Sequence, residues 1–150
     1  DGVEGWGVRR EPLKTQLNPK AEERRKRRYD IIDEVAPLPG EAVLRKASPS
    51  AFWGTPLVGH LNFLGVDTLI TCGESTSGCV RASVVDGCTN RYRMSVVEEC
   101  VFDRHQATHA MNLFDMNQKY ADVIPLADAL EYIAAWHAEH SGPSSSGLDV

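Results

Sequence analysis

The sequence predicts an α/β fold: a mostly parallel sheet with helices on both faces, in three α/β/α layers. Three observations carry this. Apolar runs of strand length at 66–72, 93–97 and 122–124 alternate with segments of helical character. A glycine- and hydroxyl-rich turn, Gly73-Glu74-Ser75-Thr76-Ser77-Gly78, leads from the first of these runs straight into a helical segment. Leu126, Ala129, Leu130, Ile133 and Trp136 then repeat at the i, i+3, i+4, i+7 spacing of an amphipathic helix. Strands joined through helices pair in parallel and need cover on both faces.

Taken in order, residues 1–19 read as irregular, with Gly2, Gly5, Gly7, Pro12 and Pro19. A charged helix is predicted from Ala21 to Val35, ended by Pro37-Leu38-Pro39-Gly40. Its basic run, Lys20 to Arg28, is interrupted by Glu22 and Glu23 and reads as a solvated face. Glu41–Lys46 reads as a short strand, followed by a loop at Ser48-Pro49-Ser50. The next helix is well signed: Thr55 fits the N-cap, Pro56 the first helical position and Gly65 the C-terminal cap. Its apolar face is Leu57, Leu61 and Leu64. A strand at 66–72, a helix at 77–88, a strand at 93–97, a short helix near 105–117 and a last short strand at 122–124 follow. Residues 1–140 are expected to form a single domain, with 141–150 (Ser-Gly-Pro-Ser-Ser-Ser-Gly at its start) a flexible tail.

Composition narrows the function classes. At 150 residues, 42% hydrophobic and 25% charged, the chain has the make-up of one ordinary globular domain. A net charge of −5 gives no reason to expect nucleic acid or acidic lipid as a partner. No apolar stretch approaches the roughly 20 residues of a membrane helix, and residues 1–15 are too polar for a signal peptide. The four cysteines show no CxxC spacing, so reduced thiols in a cytoplasmic protein are the expectation.

The chemistry centres on Cys79, placed at the start of a helix just past the turn. The positive end of a helix dipole favours a thiolate, and the free N–H groups of a first turn can hold a developing oxyanion. That equips Cys79 for nucleophilic attack, whereas Cys72, Cys88 and Cys100 read as structural. Lys46 falls, like Cys79, just past a strand end. Ligands of parallel sheets sit beyond those carboxyl ends, so the two are expected to share a pocket. His105 and His109 stand four apart on a helical segment, but no carboxylate or third ligand aligns with them, and no metal is expected.

Four segments, in order and in step, bear a family likeness. They are Gly73–Arg81; Pro37-x-Pro39-Gly40-Glu41 running on to Lys46; Ser50-Ala51-Phe52-Trp53-Gly54-Thr55-x-Leu57; and Asn112-Leu113-Phe114-Asp115-Met116-x-x-Lys119-Tyr120-Ala121-Asp122-Val123. Together they resemble the isochorismatase-like cysteine hydrolases, nearest to their N-carbamoylsarcosine and maleamate amidohydrolase branch, and the resemblance reaches over roughly residues 30 to 133. The resemblance implies a Rossmann-like topology and a hydrolase that cleaves a linear amide or carbamoyl C–N bond of a small carboxylate-bearing molecule. It implies Cys79 as nucleophile, forming a thioester and expelling ammonia, with Lys46 beside it favouring the thiolate. It implies a cis Glu74–Ser75 peptide that turns the N–H of Ser75 towards that of Cys79 as an oxyanion hole. Arg104 would hold the substrate carboxylate, a task its planar fork suits. His109 matches a structural histidine. No cofactor is implied, and a homo-oligomer is.

The likeness also predicts a gap. The family's general-base aspartate ends a first strand far upstream of the lysine. Asp1, Asp30 and Asp33 do not match it, and no apolar strand ending in aspartate lies in residues 1–45. The N-terminal part of the family domain is therefore expected to be missing. The other reading of such a chain is an inactive family member that serves as an interaction or oligomerisation module.

Overall fold

The computed structural model describes residues 30–140. The chain divides into two units between Arg45 and Lys46. In the first unit, the described residues hold one 3₁₀ turn at Asp33–Val35. A reverse turn follows, in which the Glu41 N–H donates to the Leu38 carbonyl and Glu41 Oε2 accepts the Leu38 N–H. Gly40 supplies the positive φ, +96°, that this turn requires. The strand expected at 41–46 does not form. A strand exists only where its N–H and C=O groups meet a neighbouring strand, and no described strand pairs with this segment. Of the charged helix expected over 21–35, the described part makes only the 3₁₀ turn, while 21–29 lie outside the described residues, as do 1–19 and the tail at 141–150.

The second unit carries helices α1 (Leu57–Phe63), α2 (Arg81–Thr89), α3 (Gln106–Lys119) and α4 (Leu126–His140), and strands β1 (Thr68–Glu74), β2 (Arg93–Phe102) and β3 (Asp122–Ile124). The sheet runs β1-β2-β3, parallel throughout. Right-handed crossovers that advance in one direction put α2 and α3 on the same face, and the two helices touch. The core lies between them and the sheet: Val80 and Val84 beside the turn and α2, Met94, Val96 and Val101 on β2, and Leu113 and Met116 on α3. By the strand's alternation Val97 points to the opposite face. There α4 packs on β2 through Ala129, and Glu99 Oε2 accepts the Leu126 N–H at the helix start (2.8 Å). No described helix is long and apolar enough to cross a membrane.

Local signals set most boundaries. α1 starts at Leu57 with Pro56 in the cap position, and Thr55 Oγ1 accepts the Leu57 N–H. It ends in a Schellman motif: the Gly65 N–H donates to Asn62 O and the Val66 N–H to Leu61 O, with Gly65 at φ +68°. Val66 is thereby drawn into the cap, and β1 begins at Thr68 instead of 66. α2 ends the same way, with Arg91 in the left-handed position at φ +74° and its neighbour Tyr92 donating to Gly87 O.

Three expectations change. Leu64 is 61% exposed, so the buried face of α1 is Leu57 and Leu61 alone. β2 runs on to Phe102, because its register shifts: Val96 pairs with Thr71 and Val101 with Gly73, so 97–100 bulge and expose Glu98 and Glu99, which interrupt the apolar pattern. The apolar stripe of α4 is mostly open, with Ala129 buried but Leu130 56% exposed.

Two stability outcomes follow from these placements. Met116→Ala, at a fully buried side chain, is expected to lower unfolding free energy by about 2–5 kcal/mol, against about 1 kcal/mol or less for Leu130→Ala, in denaturant titrations. Arg91→Gly is expected to raise stability by about 1 kcal/mol, since glycine adopts the left-handed conformation without the Cβ penalty.

Candidate active site

The link from β1 into α2 is the sharpest feature of the backbone. Gly73 takes φ +125° and the Glu74–Ser75 peptide is cis, as the resemblance implied. Ser75 is extended, and Thr76–Val80 form a single wide turn broken at Gly78, whose φ −109° and ψ −106° are not helical. A Cβ on Gly78 would stand 2.6 Å from Ser75 Oγ, so no larger residue fits there without displacing Ser75. The Ser75 carbonyl accepts the N–H groups of both Gly78 (2.9 Å) and Val80 (3.2 Å). Val80 and Thr76 are buried, pinning the turn to the core, while Cys79 stays half-buried at its rim.

Lys46 reaches that rim from the far side of the sequence. Its ammonium has three N–H donors, and it has three acceptors: Ser48 O at 3.0 Å, Pro49 O at 3.1 Å and Cys79 Sγ at 3.4 Å. The two carbonyls orient the cation and leave its third hydrogen for the sulfur. The loop that provides them is itself tied down. The single Ser48 hydroxyl hydrogen lies between Ser50 O and Trp53 O, Thr55 Oγ1 donates to Ala51 O, and the Ala51 N–H donates to Ser83 Oγ on α2. Lys46 and Cys79 line one cleft of about 310 Å³, together with Phe52, Cys72, Glu74 and Ser83. Cys72, the other cysteine of the cleft, is exposed, yet the desolvation it meets pushes its thiol up from its ordinary value, and contact with the Cys100 thiol adds to the shift.

The remaining expected residues are placed as follows. Ser75 is half-buried at the start of the turn. Arg104 is exposed just past the end of β2, on the same edge of the sheet as the turn, but it does not line the Lys46–Cys79 cleft. Its guanidinium has no ion pair among the described residues, because Asp103 is committed elsewhere: Oδ2 accepts the N–H and hydroxyl of Ser77 (2.8 and 2.5 Å), and Oδ1 the backbone N–H of Arg104. No group of three or more metal-ligating side chains stands together among the described residues. His109 Nδ1 instead meets Thr76 Oγ1 at 2.8 Å, a structural use. At the start of α2, Arg81 pairs with Asp115 (2.5 Å), which also takes Lys119, and Arg81 lies over the Tyr120 ring at 5.8 Å.

Sequence reasoning missed the Ser48 and Pro49 carbonyls and the Ser77–Asp103 and Thr76–His109 bonds. The carbonyls carry no side-chain signature. The two bonds join residues separated by 26 and 33 positions. Only the hydroxyl richness of the turn hinted that it needed acceptors.

Fold and site define an open parallel α/β protein in which a cysteine, at a strand-to-helix turn, is held against a lysine beyond the carboxyl ends of the strands. The chain belongs to the isochorismatase family: the isochorismatase domain matches residues 8–128. It is 48% identical over 103 residues to the maleamate amidohydrolase of Pseudomonas putida, covering 69% of this chain and 48% of that protein. It is 36% identical over 105 residues to the N-carbamoylsarcosine amidase of an Arthrobacter species, covering 70% of this chain and 40% of that protein. An isochorismatase family protein from Desulfovibrio vulgaris superposes with a TM-score of 0.65 at 33% identity, over 70% of this chain and 55% of that one. The chain thus spans about half the length of the curated relatives it matches.

Two outcomes are expected of the site. Lys46→Met slows alkylation of Cys79 by iodoacetamide about tenfold at neutral pH, read by peptide mass spectrometry, because the sulfur loses its cation. The Ser77 hydroxyl and N–H hold the Asp103 carboxyl below its ordinary 3.8, and Lys119, then Arg81, do the same for Asp115. Both depressed groups favour the fold above 3.8, and that contribution is lost as pH falls through their folded values. Acid titration of the Asp103→Asn, Asp115→Asn double variant is expected to show a shallower loss of stability below that point.

Proposed function

We propose that the protein is a cysteine-dependent amidohydrolase that cleaves the linear amide or carbamoyl C–N bond of a small carboxylate-bearing substrate. The observation that carries this reading is the Lys46 ammonium, oriented by two carbonyls, with its third donor on Cys79 Sγ at 3.4 Å. The two relatives support the chemical class: the substrates in their names, maleamate and N-carbamoylsarcosine, each carry a carboxylate and an amide-type nitrogen.

In this reading Lys46 favours the thiolate of Cys79, which attacks the substrate carbonyl carbon. The N–H groups of Ser75 and Cys79 hold the oxyanion that develops, and such donors are worth about 3–4 kcal/mol of barrier each. The C–N bond breaks, the nitrogen takes up a proton and leaves as ammonia, and Cys79 retains the acyl group as a thioester. Water then adds to the thioester, releasing the acid and regenerating the thiolate. Arg104, exposed just past the end of β2 and in no ion pair among the described residues, is the cation proposed to receive the substrate carboxylate.

The test uses the full-length protein and a maleamate-type amide. Cys79→Ala is expected to reduce ammonia release at least about 1,000-fold, with the thioester trapped by mass spectrometry only in the parent protein; ammonia release retained in Cys79→Ala overturns the assignment. Arg104→Lys is expected to raise KM about 10-fold or more with kcat little changed, the pattern of a lost bidentate binding contact.

A further inference from the structure

We propose that Asp103 is a positioning residue for the turn that carries Cys79, an inference that rests on reading Cys79 as the nucleophile. The turn has one loose joint. Gly78, between Ser77 and Cys79, has non-helical dihedrals and no side chain to anchor it. On its far side Val80 is fixed by burial and by its bond to Ser75 O. On its near side Thr76 is fixed by burial and by His109. Ser77 is the remaining link. The kink takes its N–H out of any helical ladder, and that N–H is one of the donors a helix start leaves without an intrahelical partner.

Asp103 meets this need from outside the turn. It stands one residue past the end of β2, where the parallel pairing of β1 and β2 brings both strand ends to one edge. Its Oδ2 takes both donors of Ser77, N–H at 2.8 Å and hydroxyl at 2.5 Å, and its Oδ1 is kept in line by the Arg104 N–H at 2.8 Å. An ionised acceptor makes bonds roughly twice as strong as a neutral one. Both Ser77 donors are consumed, so neither competes for the substrate, and the position of Cys79 relative to Lys46 and Ser75 depends on one carboxylate that touches none of the reacting atoms. Because misplacing a reacting group by about 1 Å can cost on the order of 100-fold in rate, loss of this anchor reaches the chemistry through Ser77.

The test compares Asp103→Ala, Asp103→Asn and Ser77→Ala in the full-length protein, with maleamate as probe and hydrogen exchange over residues 74–82 as an activity-independent readout. Asp103→Ala is expected to lower kcat about 30-fold with KM within threefold, and to speed exchange at the Ser77 amide at least about tenfold while β2 and α3 exchange as before. Asp103→Asn, which keeps an oxygen acceptor without the charge, is expected to recover most of both losses. In a Ser77→Ala background the kcat effect of Asp103→Ala should shrink, because the two residues act through shared bonds. Unchanged exchange at Ser77 in Asp103→Ala overturns the proposal, as does faster exchange with kcat unchanged. If Cys79 of the parent protein alkylates no faster than free cysteine, the amidohydrolase reading falls instead, and the exchange measurement alone decides whether Asp103 positions the turn.

Discussion

The site depends on the parallel pairing of β1 with β2. Thr68 opposite Arg93 at one end and Glu74 opposite Phe102 at the other bring both carboxyl ends to one edge of the sheet. The end of β1 runs into the turn bearing Cys79, and the end of β2 runs into Asp103 and Arg104. Parallel strands need a crossover, and α2 is that crossover. It follows directly on the turn, and Val80 of the turn and Val84 of α2 are buried in one cluster with Met94 and Val96. An antiparallel pairing would send the two ends to opposite edges and separate Ser77 from Asp103.

Around this pairing, several polar groups of the turn find partners. Ser75 O takes two N–H groups, Ser77 gives two donors to Asp103, Thr76 meets His109, and Lys46 places its three donors on two carbonyls and one sulfur. No buried side-chain nitrogen or oxygen among the described residues lacks a partner. Such closure matters because an unpaired buried polar group costs about 1–3 kcal/mol, and a network with a missing member would let the turn relax. The cysteine is thereby presented on a rigid support while its sulfur stays at the mouth of a cleft. The cleft floor is the edge strand β1 and its walls are the 48–55 loop and α2.

Where the sequence reading went astray, the cause was pairing or packing between distant residues. Glu41–Lys46 has strand-like composition, but no described strand accepts its hydrogen bonds. Val97–Cys100 break the apolar alternation, yet they sit inside a strand because β2 bulges against β1. Leu64 and Leu130 keep helical spacing but are largely exposed, since spacing shows which residues share a face and not what lies opposite it. Asp103 carried no sequence signal, and His109, expected to be structural, had no identifiable partner in the sequence. Each is spent on a hydroxyl of the turn.

By itself, the sequence determined most of the elements and singled out the residues proposed to carry the chemistry. Gly65 closes α1 and the turn from Gly73 to Gly78 separates strand from helix, both through short-range steric and capping rules that act within a few residues; the helix expected from 77 begins only at Arg81, with Cys79 in the wide turn just ahead of it. The family likeness of its four segments added Lys46, Ser75 and Arg104. Only the tertiary structure decided that the Lys46 ammonium, 33 residues from Cys79 in the chain, rests on its sulfur, that Asp103 bonds Ser77 of the turn, and that the Arg104 guanidinium has no ion pair among the described residues. Those outcomes depend on strand register and loop path. These are set by the packing of the whole core, and no local window of sequence contains them.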